Sequence, residues 1–236
     1  MGVNKRLFLG GDAAPAGQEL RFDEFWAGYD DNQSNRAEFK QSGKIIDFNT
    51  YSEGQAVLNQ NPQTSGKYYL EIKRVSSTGA ESFSVFNRSS NTVYDVSPYR
   101  NKNPVDGAYG ASLWNNGFYT FIGITNQTGF ENLSLGDGDI VCMAVDVDNK
   151  TIWWGRRDGL SDTTITWNNG NPNTLTGGLT VTFVPSDVMV SHSAESSSKY
   201  SEFEVLDLTE MLSPPTGFNT LRGAFDSTLT ENEANF

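Results

Sequence analysis

Cysteine and histidine are almost missing from this chain, and positive charge is scarce. Its 236 residues hold one cysteine, Cys142, and one histidine, His192. A single thiol cannot close an intrachain disulfide, so stability has to come from packing, and no oxidising compartment is required. Cys142 falls mid-strand, where a thiol is most often a small core residue, and His192 lies in the serine-rich stretch SHSAESSSK. No nucleophile, base and orienting group can be assembled from these residues, so no catalytic residue is assigned and the chain is expected not to be an enzyme.

Seventeen Lys and Arg face 29 Asp and Glu, a formal charge of −12. Nucleic-acid affinity rests on clustered cations, so no nucleic-acid partner is expected. Long apolar runs are lacking too. The opening MGVNKRLFLGGDAAPAG offers only Leu7, Phe8 and Leu9 as apolar core, far short of a signal peptide, and no later segment approaches a membrane span. The chain reads as soluble, not conventionally secreted and not inserted in a membrane.

What is present is a succession of short β-branched and aromatic runs between Gly, Asn, Asp and Ser clusters, with little helical periodicity. The pattern predicts strands over Lys44–Phe48, Lys67–Val75, Glu81–Phe86, Tyr119–Thr125, Ile140–Val147, Thr151–Gly155, Leu179–Val184 and Ser201–Leu206. In Ile140–Val147 both alternating faces are apolar: Ile140, Cys142 and Ala144 on one side, Val141, Met143 and Val145 on the other. Such a strand belongs in the middle of layers, as in a sandwich of two antiparallel sheets. Residues 1–35 and 209–236 lack sustained periodicity and read as arms, although aromatic islands such as Phe22 to Tyr29 suggest docking.

Four segments carry a family likeness. SGKYYLEIK (Ser65–Lys73) has a Gly-Lys-aromatic-aromatic strand with a following glutamate, and FIGIT (Phe121–Thr125) is a short Ile-Gly-Ile strand. GDIVCMAVDVDNKTIWWGRRDG (Gly138–Gly159) joins an apolar strand, an Asp-x-Asp-Asn turn and an aromatic pair. WNNGNPNTLTGGLTVTFVPSDVMV (Trp167–Val190) and the tail PPTGF (Pro214–Phe218) complete the set. Together they resemble the SPRY family in the version found in bacteriophage and prophage structural proteins, over roughly residues 36–208.

The resemblance implies an all-β, two-sheet antiparallel, jelly-roll-like sandwich of the SPRY or concanavalin-A type that binds ligands through loops. It also implies a virion protein assembled in the host cytoplasm, tail-associated as a fibre or receptor-binding component. The terminal arms would contact other virion proteins, the sandwich would meet a host-surface glycan or protein, and family context implies a homo-oligomer. One alternative is a capsid or tail cement protein touching only virion subunits. Another is a cellular peptide-binding adaptor, ranked last because no zinc-binding or coiled-coil segment accompanies the domain.

For the site, alternation puts Trp153 and Trp154 on opposite faces of one strand, with Trp154 in phase with Ile152 as core. Trp153 is then expected to project outward unless a neighbouring strand or tail covers it. Beside it, Arg156 and Arg157 complete a candidate surface able to stack on a sugar or peptide. The segment PYRNKNPVDGAYGASLWNNGFY adds Tyr99, Arg100, Tyr109, Trp114 and Phe118, rigid aromatics among Asn and Gly, a composition suited to recognition and equally to a long crossover packed on its own aromatics. Asp137, Asp139, Asp146 and Asp148 read as turn residues. No metal or cofactor is assigned.

Overall fold

The structure, a computed structural model, describes residues 19–27, 38–48, 54–58, 63–87, 109–114, 117–121, 133–168, 170–193 and 200–223. The described elements start with β1 (Phe22–Ala27), β2 (Glu38–Lys40), β3 (Ile45–Phe48), β4 (Gly54–Leu58), β5 (Lys67–Ser77) and β6 (Ala80–Asn87). A hairpin of β7 (Tyr109–Trp114) and β8 (Gly117–Phe121) precedes the central pair β9 (Ile140–Asp146) and β10 (Thr151–Arg157). Short strands follow: β11 (Thr166–Trp167), β12 (Gly170–Asn171), β13 (Thr176–Gly177) and β14 (Leu179–Thr180). The last are β15 (Asp187–Ser193), β16 (Ser201–Val205) and β17 (Asn219–Thr220). Among the described residues no helix is long and apolar enough to cross a membrane.

The fold is an all-β sandwich of two sheets. One has six strands in the order β1-β4-β15-β6-β7-β8; the other runs β11-β10-β9-β5-β16-β3-β2, with β14 also paired to β10 and β17 to β5. Among the described residues all pairings are antiparallel except that of β17, which lies parallel to β5 at Tyr68 and Tyr69. Ile46, Leu70, Ile72, Val141, Met143 and Trp154 of the larger sheet meet Leu58, Phe83, Val85, Leu113, Val188 and Val190 of the smaller one in a single core. At one end of this core two polar links also cross between the sheets: Arg74 pairs with Glu81, and His192 Nδ1 lies 2.7 Å from Ser201 Oγ.

β9 behaves as its doubly apolar pattern predicts. All seven of its residues are buried, with Val141, Met143 and Val145 in the inter-sheet core and Ile140, Cys142 and Ala144 in a second cluster on the opposite face. That second cluster, completed by Tyr69 of β5 and Trp153 of β10, exists because Leu206 and Phe218 of the C-terminal segment pack over the outer face of the larger sheet. Asp146 closes the β9–β10 turn by accepting hydrogen bonds from Asn149 N–H (3.0 Å) and its side-chain amide (2.8 Å).

Several elements differ from the sequence reading. The segment expected as a strand over Leu179–Val184 keeps ladder pairing only at Leu179–Thr180; Val181 and Phe183 are buried in the core without it. Strands β1, β4, β7 and β15 were not among those expected. The aromatic island of the N-terminal segment supplies β1, which pairs with β4 as an edge of the six-stranded sheet. β7 and β8 pair antiparallel with Trp114 opposite Gly117, and residues 98–108 of the segment read as a recognition surface or a crossover lie outside the described residues.

Candidate functional site

The β10 strand decides most of the site. Alternation does place Trp153 and Trp154 on opposite faces, and Trp154 joins the inter-sheet core as expected. The outward role expected for Trp153 is overturned: its side chain is 2% exposed. Its indole N–H donates to Thr176 O at 3.0 Å, and Phe218 packs edge-on against it with ring centroids 6.0 Å apart. Gly178, at φ +82°, lies so close that a Cβ there would sit 2.6 Å from Trp153 Cε2. A layer built from residues 176–178 and 218 therefore covers the ring.

Arg157 is corrected likewise. Its guanidinium is buried, paired with the buried Glu71 and hydrogen-bonded to the carbonyls of Gly159, Leu160, Asp162 and Glu210. With its donors so engaged it cannot reach a ligand. It organises the loop that follows β10 and ties the C-terminal segment to the sheet.

Arg156, in phase with Trp154, emerges at the sheet edge and lines a groove of about 420 Å³. Its Nη1 donates to Ser134 O (2.6 Å) and Leu133 O (3.2 Å), and its Nη2 pairs with Asp158 Oδ1 at 2.7 Å. Nε lies 3.0 Å from Asp139 Oδ2 without a hydrogen-bond partner, so that contact is one of charge alone. The guanidinium thus clamps one wall of the groove.

Most of the remaining lining comes from the 158–168 segment. Asp162 accepts backbone hydrogen bonds from Asp158 (3.0 Å) and Thr164 (2.9 Å); these N–H groups, Asp158 first, hold its carboxyl below the usual carboxylate range. The turn so fixed feeds β11, where Thr166 pairs with Arg156 and Trp167 with Gly155. Glycine is needed at 155: an added Cβ would lie 2.7 Å from Ile165 Cγ2 and 2.9 Å from Trp167 Cε3. Trp167 sits in that space half-buried, edge-on to Tyr69, and still lines the groove with Thr164, Thr166 and Asn168. An aromatic ring beside hydroxyl, amide and carboxylate groups can hold a small polyhydroxylated ligand.

Of the residues expected at the site, Arg156 alone is placed at this groove among the described side chains. Tyr99 and Arg100 lie outside the described residues. Tyr109 and Trp114 fall on β7 and Phe118 on β8, and their side chains lie outside the description. Trp167, Thr164 and Asp162 had no place in the sequence reading of the site. A signal existed in the polar run from Asp158 to Trp167, which ends on a tryptophan, but nothing local distinguished it from an ordinary loop.

No protein-family model matches the chain, and no curated protein sequence matches it. Among solved structures it is similar to the TRIM65 PSpry domain (TM-score 0.43, 11% identity), over 84% of this chain and 100% of that one. It is also similar to basic winged bean lectin solved with Tn-antigen (TM-score 0.45, 10% identity), over 79% of this chain and 89% of the lectin. Stonustoxin is matched at TM-score 0.41 and 10% identity over 80% of this chain, which spans only 27% of the toxin chain. At such identities these likenesses assign neither ligand nor partner.

Proposed function

We propose that this chain is a non-catalytic recognition module that holds a surface glycan in the groove between Arg156 and Trp167. The observation that carries the reading is the groove itself: a half-buried tryptophan, two threonines, an amide and two carboxylates around about 420 Å³, at an edge of the larger sheet. A groove of this size suits weak single-site binding. Many copies on one particle would convert millimolar affinity into firm attachment through effective concentration.

The particle in this proposal is a bacteriophage virion, with the module in the tail and the terminal segments, by docking, in assembly. The likeness of the Ser65–Lys73, Gly138–Gly159, Trp167–Val190 and Pro214–Phe218 segments to phage-type SPRY proteins supports it.

Two measurements test these parts separately. A glycan array probed with the full chain and with Trp167→Ala should lose its signal in the variant, and Thr166→Val should weaken it while leaving the fold intact. Unchanged array binding by both variants would refute the groove. Mass spectrometry of purified particles should find the chain; its absence would remove the virion role and leave the groove standing.

A further inference from the structure

The charges around the groove go beyond the presence of a binding site and bear on which sugars it takes. This step rests on the groove reading given above. We infer that the groove selects uncharged sugar residues and rejects carboxylated, sulfated or phosphorylated ones.

Among the described residues that line the groove, Arg156 is the one cation. Its Nη1 is committed to two backbone carbonyls, its Nη2 to Asp158, and its Nε faces Asp139. A bound anion would have to displace a carboxylate to reach it. One guanidinium also stands against three carboxylates, Asp139, Asp158 and Asp162, so the local field is negative before any ligand arrives. Asp162 is held ionised by the backbone N–H groups on both its oxygens. The whole chain, at −12, adds to the same sign at long range.

The remaining groups suit an uncharged partner. The Asp158 side chain is 72% exposed and has only Oδ1 engaged by Arg156, leaving an acceptor for ligand hydroxyls. Thr164 and Thr166 are exposed hydroxyls that can donate or accept. Trp167, half-buried in the lining, can offer its remaining apolar surface to the C–H face of a sugar ring. A neutral hexose or N-acetylhexosamine meets all of these without setting an anion beside fixed carboxylates, which is the repulsive element that discrimination requires.

The test is a titration of the full ¹⁵N-labelled chain with four probes: lactose and chitobiose as neutral sugars, 3′-sialyllactose and a hyaluronan tetrasaccharide as acidic ones. The neutral pair should shift the amides of Thr164 to Asn168 and the Trp167 indole N–H, and the acidic pair should bind at least tenfold more weakly. Raising the salt should narrow that gap, because part of it is screened charge. Asp158→Lys, at an exposed position, should close or reverse it. Equal or tighter binding of the acidic probes at the same amides would overturn the selectivity while leaving the groove in place. Silence of those amides toward all four probes would refute both.

Discussion

Arg157 and Glu71 form a fully buried ion pair on the outer face of the larger sheet, Nε and Nη2 lying 2.9 and 2.5 Å from the same carboxylate oxygen. The other oxygen of Glu71 accepts from the Tyr69 hydroxyl and from Leu212 N–H at 3.0 Å. One pair therefore secures the loop after β10, the central strand β5 and the C-terminal segment together. Leaving either charge buried alone is expensive, so Arg157→Met and Glu71→Met should each cost about 3–5 kcal/mol in urea denaturation. The double variant should cost clearly less than the sum of the two. Strict additivity would show that the groups do not act as a pair.

The two tryptophans should prove equally structural. Both are buried, in different clusters, so Trp153→Ala and Trp154→Ala should each lower stability by about 3–5 kcal/mol. A change within about 0.5 kcal/mol for Trp153→Ala would mean that its covering layer of Phe218 and the 176–178 segment is not seated in solution.

Gly155→Ala should disturb the groove specifically. The new methyl would meet Ile165 and Trp167 at 2.7 and 2.9 Å and the Thr166 carbonyl at 3.0 Å, so β11 has to move. Overpacking of this kind costs about 1–3 kcal/mol. Trp167 emission and the β11 amide shifts should change while the β5 and β9 amides stay put; an unchanged β11 would contradict the packing described.

Cys142 should resist thiol reagents until the domain unfolds. It is fully buried, and burial first, then the nearby Glu71 charge, pushes its thiol well above the ordinary range. Labelling in native buffer should proceed no faster than global opening measured by hydrogen exchange; faster labelling would mean that the outer layer opens on its own.

His192 predicts an acid weakness. Its ring stacks on Phe48 at 5.7 Å, its Nε2 has no hydrogen-bond partner, and burial lowers its pKa from 6.5 to about 4. The unfolded chain therefore binds a proton that the folded chain refuses between pH 6.5 and about 4, and stability falls as pH drops through that window, by about 3 kcal/mol at most. Glu81 acts oppositely, since burial raises its carboxyl, so the measurement is the difference between wild type and His192→Gln across pH 4–7. A flat difference curve would show that His192 is not buried neutral.

What the sequence determined by itself was periodicity and its direct consequences. The alternation within Ile140–Val147 required cover on both faces, the Asp-Asn pair required a hairpin tip, and the opposed tryptophans required different surroundings. Those local rules sufficed for an all-β sandwich and for Trp154 as core. The groove depended on tertiary structure. Alternation states which side of a sheet a residue faces, but not what lies on that side. Trp153 is covered by Thr176 and Phe218, and Arg157 is consumed by Glu71, 86 residues earlier in the chain. Arg156 and Asp158 emerged from that stretch, and Gly155 left the space in which Trp167 joins them. Burial is set by segments remote in sequence, and so the surface left for binding is set by them as well.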